Sequence, residues 1–125
     1  MASGGEISRI ILALKITLAK NLDEQKLIIF DEIDTGTSGS IAANIGTKLM
    51  QLSNGCQILC ISHLPQVASM ATNHFKIEKI KLENRNQTQI KKLDTEGRKI
   101  ELARMLAGEN ITKEATAAAE KLLFN

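Results

Sequence analysis

The chain has 125 residues, a length that suits one small domain or a piece of a larger one. Hydrophobic residues make up 43% of it but aromatic residues only 2%, so a core must be packed from Ile, Leu, Ala and Met. The net charge of +2 is too small to indicate nucleic-acid binding by itself, and we expect neither a membrane-spanning segment nor a signal peptide. Since Cys56 and Cys60 lack further zinc ligands at suitable spacing, they are most simply buried thiols of a cytoplasmic protein.

The first predicted element is an amphipathic helix that begins at Ser3-Gly4-Gly5-Glu6 and ends near Asn21. Ser3 and Glu6 have the spacing of a capping box, in which each side chain accepts the backbone N–H of the other residue. An ordinary capped helix explains this pattern, but Gly4 and Gly5 also allow backbone amides to meet an anion at the helix N-terminus. Five apolar residues trace one face of this helix: Ile7, Ile10, Ile11, Leu14 and Leu18.

Two short apolar runs predict the strands of a parallel sheet. The run from Leu27 to Phe30 ends in Asp31-Glu32, and the run from Ile58 to Ile61 ends in Ser62-His63. Short runs of this kind are typical of strands that are buried on both faces. The apolar residues between them fall at helical spacing and predict a crossover helix, which completes a βαβ unit: Ile41, Ile45, Leu49 and Leu52.

Three chemically useful side chains follow these strands. Because parallel strands end at the same edge of a sheet, we expect Asp31, Glu32 and His63 to converge where open α/β sheets bind ligands. One carboxylate suits Mg²⁺, a second orients the water that attacks a phosphoanhydride, and an imidazole can donate to a phosphate oxygen. Taken singly, such carboxylates are usually helix caps or surface charges, and a histidine at a strand end usually has a local partner. Together they suggest metal-bound phosphate chemistry.

The rest of the chain predicts a hairpin and helices. Pro65 suits the first turn of a short helix, and strands from His74 to Leu82 and from Gln87 to Leu93 are expected to pair antiparallel. A further helix is predicted to stop at Gly108, and Thr112 to cap a final Ala-rich helix. The residues expected on the inner face of the first hairpin strand are Phe75, Ile77 and Ile80. Five hairpin lysines most simply form a solvated face, with DNA contact as the alternative: Lys76, Lys79, Lys81, Lys91 and Lys92.

The order of these motifs resembles that of the ATP-binding-cassette ATPases. In that resemblance Ser3 to Glu6 matches the signature motif, and Leu27 to Asp31 matches the Walker B strand. Glu32 matches the catalytic carboxylate, Asp34 to Gly39 the D-loop, and His63 the switch histidine.

Three longer runs narrow the resemblance to the RecN family, bacterial double-strand-break repair ATPases related to the SMC proteins. They are Ser3 to Arg9, Phe30 to Gly36 and Ser62 to Ala68, and the tail from Glu101 to Thr112 also resembles the end of that family. The implied fold class is α/β, the C-terminal half of an ABC-type P-loop ATPase head, with a parallel βαβ core plus a C-terminal β-hairpin and helices. Residues 1–125 are then a single partial domain.

The resemblance also implies roles for individual residues. Two heads sandwich two ATP molecules, and the signature residues of one head face the ATP that the other head binds. Asp31 supports Mg²⁺, Glu32 polarises the attacking water and His63 holds the γ-phosphate. The residues implied to contact nucleotide are Ser3, Gly4, Gly5, Glu6 and Asp34.

One departure from the family pattern sets the expected partners. No Gly-x-x-x-x-Gly-Lys-Ser/Thr motif occurs in the sequence, so the loop that cradles phosphate is absent. We therefore expect partnership with the N-terminal half of the head, with a second head and, in the full-length protein, with DNA. The isolated chain is expected to be inactive and to self-associate through uncovered apolar surface. The alternative is a non-catalytic structural or dimerisation module of an SMC-like complex. A transporter subunit is disfavoured by the residues that follow His63.

Overall fold

The computed structural model describes residues 4–20, 27–37, 39–83 and 85–124. The chain divides into two compact units, Met1–Met70 and Ala71–Asn125. Unit 1 contains helices α1 (Gly4–Lys20), α2 (Gly39–Leu52) and α3 (Pro65–Ala68) with strands β1 (Leu27–Asp31) and β2 (Gln57–Ile61). Unit 2 contains strands β3 (Phe75–Leu82) and β4 (Arg85–Lys92) with helices α4 (Thr95–Ala107) and α5 (Lys113–Phe124). The predicted α/β class is confirmed, whereas the single partial domain stays a prediction.

The predicted βαβ unit forms the centre of unit 1. β1 and β2 pair parallel, with Leu27 opposite Gln57 and Asp31 opposite Ile61. α2 connects them and buries its face against the sheet, since a helix crossover is the usual route between parallel strands. The buried cluster combines residues from α1, β1, the loop after it, α2 and α3: Leu12, Phe30, Ile33, Ala42, Ile45, Leu49, Leu52 and Val67.

The prediction that both strands are buried on both faces is wrong. Phe30 is completely buried, but its neighbour Ile29 is 50% exposed and Leu27 is 54% exposed. Leu59 and Ile61 of β2 are exposed in the same alternating way. The reason is that the buried cluster lies against one face of the sheet, so only alternate side chains reach it.

The apolar face predicted for α1 is exposed along its whole length, at all five of its residues. The helix instead packs through Leu12, which is buried, and Ile16, which is partly buried. The predicted capping box depends on Ser3, which lies outside the described residues, as does Asn21. In α2, Ile41 is likewise exposed and Ala42 takes the buried position that was predicted for it.

The hairpin of unit 2 turns earlier than the sequence predicts. Leu82 pairs with Arg85, so only two residues separate the strands and β4 begins two residues before the predicted Gln87. The predicted inner residues Phe75, Ile77 and Ile80 are all exposed, which corrects their assignment. Lys76, the neighbour of Phe75 and Ile77, faces α4 instead, where its Nζ lies 3.2 Å from the buried carboxylate of Glu101.

The end of α4 and the cap of α5 are as the sequence predicts, whereas the cap at the start of α4 was not predicted. Asp94 caps α4 by accepting the backbone N–H of Gly97 at 2.8 Å. At its other end Gly108 has φ = 77° and donates its N–H to Arg104 O at 2.8 Å, as a C-terminal glycine does. Thr112 Oγ1 accepts from Ala115 N at 3.1 Å, which confirms the cap predicted for α5. The buried hydrophobic residues of this helix pair are Leu102, Ala103, Ala115 and Ala119.

Candidate functional site

The carboxyl ends of β1 and β2 bring the predicted strand-end residues to one edge of the sheet. Asp31 is the last residue of β1 and pairs with Ile61, the last residue of β2. One residue later, Glu32 N donates to Ile61 O at 3.0 Å, so the pairing extends to the end of β2. His63 follows two residues after that end. Asp31, Glu32 and His63 are all exposed there. The prediction that these three residues lie at one edge of the sheet is confirmed, whereas their roles stay predictions.

Glu32 has an unusual backbone conformation. Its φ is 48°, and among the described residues it alone is a non-glycine residue with positive φ. A left-handed conformation costs a non-glycine residue about 1–2 kcal/mol. The turn that follows stabilises it, since Glu32 O accepts from Thr35 N at 3.2 Å and from Thr35 Oγ1 at 2.8 Å. Strained residues of this kind concentrate at functional sites, which supports a role for this carboxylate.

Asp34 lies beneath this edge and is completely buried. Its Oδ2 accepts a hydrogen bond from Ser62 Oγ, and its Oδ1 lies 3.5 Å from His63 Nδ1. The backbone of Asp34 is held as well, because its carbonyl accepts from Thr37 Oγ1 at 2.7 Å and from Thr37 N at 3.1 Å. The loop after β1 is therefore fastened to the residues that follow β2.

Ser62 is the site residue to which sequence reasoning assigned no role. Besides donating to Asp34, its Oγ accepts from Leu64 N at 3.0 Å, which shapes the turn around His63. Pro65 then occupies the first turn of α3, as predicted, and starts the helix that follows. The available signal was the position of Ser62 between the end of a strand and a candidate histidine.

The pKa of Cys60, on β2, reflects its burial and its proximity to Asp34. Burial, and secondarily the Asp34 carboxylate, raises the pKa of the Cys60 thiol to about 11. Cys56 and Cys60 are free thiols, and both are half-buried where the sequence predicted burial.

The acidic residues at this edge suit a metal ion that is coordinated mainly by water and by substrate oxygen atoms. Among the described residues, no three His, Cys, Asp or Glu side chains lie close enough together to hold a metal ion. Mg²⁺ commonly takes only one or two carboxylates and fills its remaining positions with water and substrate phosphate. Asp31, an exposed carboxylate at a strand end, fits that pattern.

The signature residues lie at the other end of unit 1's chain. Gly4 and Gly5 open α1 and Glu6 is exposed in its first turn, whereas Ser3 lies outside the described residues. The resemblance assigns these residues to the ATP of an opposite head, so no contact with the strand ends is expected of them.

The hairpin lysines do not form one uniform face. Lys76 lies 3.2 Å from Glu101 and 3.4 Å from Glu78, and hydrogen bonding to Glu101 raises the pKa of Lys76. Burial opposes the charge of Glu101, but hydrogen bonds from Arg104 and Lys76 outweigh it and lower the pKa of Glu101. Lys76 is therefore committed to a cluster within unit 2. The remaining four lysines are exposed.

In the part of the chain that the structure describes, none of the helices combines the length and the apolar character needed to cross a membrane.

The chain is similar over nearly its whole length to curated bacterial proteins. It is 47% identical over 123 residues to the DNA repair protein RecN of Xylella fastidiosa, covering 98% of this chain and 22% of the relative. The RecN proteins of Halalkalibacterium halodurans and Rickettsia prowazekii are 48% and 44% identical, again with 22% of their length covered. The matched region is the C-terminal part of these relatives. At 22% coverage, the chain spans about a fifth of their length. No model of a protein family matches the chain.

A solved structure shows the same fold. It comes from work on the ATP-driven dimerization and DNA-stimulated activation of SMC ATPases, and it aligns with a TM-score of 0.65 at 17% identity. The alignment covers 87% of this chain and 65% of that one. The chain therefore shares the fold of that SMC ATPase, as the predicted α/β architecture requires.

Proposed function

Because the chain is homologous to the C-terminal part of the RecN DNA repair proteins and has the fold of an SMC ATPase head, we propose that it is the C-terminal half of an ATP-hydrolysing head that acts in DNA double-strand-break repair. The observation that carries this proposal is the convergence of Asp31, Glu32 and His63 at one sheet edge. The free thiols Cys56 and Cys60 support a reducing, cytoplasmic setting.

The three strand-end residues divide the chemistry between them. Asp31 would hold Mg²⁺, which neutralises charge on the phosphates of ATP when it is bound. Glu32 orients the attacking water and accepts its proton, a task that suits an exposed carboxylate in a fixed backbone conformation. His63 donates a hydrogen bond to the γ-phosphate from a ring that is 63% exposed.

The proposal includes two protein partners and DNA. The chain has no phosphate-cradling Gly-rich motif, so the N-terminal half of the head must supply it, and the isolated chain is inactive. A second head contributes the opposite half of each site, where Ser3, Gly4, Gly5 and Glu6 face the nucleotide. The exposed apolar side chains of α1, β1 and β2 support such docking, since surfaces of this kind usually mark interfaces. DNA is bound by the complete protein.

A chimera tests the proposal. In the RecN protein of Xylella fastidiosa, the C-terminal 22% is replaced by this chain, and ATP hydrolysis is measured with and without Glu32→Gln. We expect turnover in the chimera and a loss of at least about 100-fold on substitution. Glu83→Gln, the same chemical change in the hairpin turn, is the matched control and should leave turnover unchanged.

The alternative is a structural module that assembles with SMC-like partners and does not hydrolyse ATP. The missing phosphate-cradling motif and the exposed apolar faces fit this alternative as well as they fit the catalytic proposal. A folded chimera that hydrolyses no ATP would contradict the catalytic proposal and favour this alternative. Turnover that survives Glu32→Gln would instead contradict the catalytic role proposed for Glu32.

A further inference from the structure

The two oxygens of the Asp34 carboxylate have different surroundings. Oδ2 accepts the hydroxyl hydrogen of Ser62, whereas Oδ1 is buried and has no hydrogen-bond partner among the described residues. An unsatisfied buried carboxylate oxygen is costly, and such atoms in folded proteins call for an explanation. The group closest to supplying a donor is the ring of His63, whose Nδ1 lies 3.5 Å away.

A small movement of the His63 ring completes this contact. Ordinary N–H···O hydrogen bonds measure about 2.7–3.2 Å, so the gap to be closed is only a few tenths of an ångström. The ring is 63% exposed and is free to move by that amount, while Asp34 is held by Ser62 and through its backbone by Thr37. The carboxylate is therefore the fixed member of the pair and the imidazole is the mobile one.

We propose that Asp34 and Ser62 are positioning residues for His63. Ser62 fixes the Asp34 carboxylate, and the remaining carboxylate oxygen holds the imidazole through Nδ1, which leaves Nε2 available to a phosphate oxygen. In the imidazolium form both ring nitrogens donate, so the same ring serves both partners. This inference rests on the proposed function for the identity of the phosphate. It assigns Asp34 a role beneath the sheet edge, where burial separates its side chain from ligand.

The arrangement couples the two ends of the crossover connection. Asp34 follows β1 and Ser62 follows β2, and the two residues are 28 positions apart in the chain. A displacement of the loop after β1 therefore moves the support of His63 directly.

The first test measures the His63 ring in the 125-residue chain by long-range ¹H–¹⁵N NMR spectra, which distinguish hydrogen on Nδ1 from hydrogen on Nε2. The sequence contains two histidines, so His74 is an internal reference in every spectrum. We expect Asp34→Asn and Ser62→Ala to shift the neutral ring towards the Nε2–H form, and Ser62→Thr to restore the original signals. Ser53→Ala removes a comparable hydroxyl bond, to Met50 O, and should change nothing.

The second test measures ATP hydrolysis by the chimera. Ser62→Ala should lower kcat roughly 10-fold with KM for ATP within about twofold, and Ser62→Thr should recover most of the loss. A His63 ring that responds to neither Asp34→Asn nor Ser62→Ala would overturn the proposal. A loss of turnover that Ser62→Thr does not restore would also overturn it. A ring that responds in the isolated chain while the chimera has no ATPase activity would confirm the positioning and refute the proposed function instead.

Discussion

Gly46 is the position where one added methyl group should disturb both the fold and the site. It is buried in α2, and a Cβ there would lie 2.9 Å from Met70 Cγ, 3.0 Å from Gln66 O and 3.4 Å from Val67 Cα. The Met70 side chain can move aside, but the other two atoms belong to the backbone of α3. Gly46→Ala must therefore push α3 away from α2, and α3 begins directly after the turn that carries Ser62 and His63.

Two opposing terms set the size of the effect. Overpacking in a core typically costs about 1–3 kcal/mol. Replacing a helical glycine by alanine returns about 1 kcal/mol through helix propensity. We expect the free energy of unfolding to fall by about 1 kcal/mol, since the close contact with backbone leaves little room for relaxation.

The assay is a urea titration of the 125-residue chain followed through the amide NMR signals of α2, which report on unit 1 alone. Gly55→Ala is the matched control, because a Cβ at Gly55 would meet nothing within 4 Å. Its unfolding midpoint should stay unchanged or rise slightly, since alanine restricts the unfolded chain. If Gly46→Ala is as stable as the natural sequence, the close packing of α2 on α3 is not a constraint and the reasoning fails.

Three further predictions follow from the same structure. Glu32→Gly should raise the free energy of unfolding of the chain by about 1 kcal/mol, because glycine tolerates φ = 48°. The same substitution should abolish ATP turnover in the chimera. An unchanged or lower free energy of unfolding would count against strain at this position. Glu101→Gln should lower the free energy of unfolding measured in urea at neutral pH, and the difference from the natural sequence should shrink at about pH 3. The reason is that the pKa of Glu101 in the folded chain is lowered below its ordinary value of 4.5. Its carboxylate therefore stabilises the fold above the unfolded-state pKa, and this stabilisation is lost as pH falls through the folded-state pKa. At a pKa of about 11, the Cys60 thiol forms roughly 100-fold less thiolate than it would at its ordinary pKa of 9.0. Alkylation of Cys60, followed by mass spectrometry, should therefore be roughly 100-fold slower in the folded chain than in urea. Equal rates would refute burial of this thiol.

The sequence predicted the features that depend on local chemistry. Apolar spacing predicted the two parallel strands and the crossover helix. Residues with few backbone options predicted the proline at the start of α3 and the caps at Gly108 and Thr112. The convergence of Asp31, Glu32 and His63 followed from a topological rule alone.

What the sequence could not predict is which apolar residues are covered. Ile29 and Phe30 are chemically alike and adjacent, but only Phe30 faces the buried cluster. In the hairpin the predicted inner face was apolar, yet Lys76 turns towards α4 because the distant Glu101 offers it a buried partner. The contact of Asp34 with Ser62 is of the same kind, since residues 28 positions apart carry no local signal of their pairing.

The parallel pairing of β1 and β2 also bears on when the candidate site comes into existence. Bringing together strand ends about 30 residues apart costs about 3 kcal/mol of loop-closure entropy before any contact between them repays it. Asp34 and His63 are therefore not held close together in any state of the chain in which β1 and β2 have not yet paired. Formation of the site and closure of the sheet are one cooperative event, and amide exchange at Glu32, which donates across that closure to Ile61, reports both.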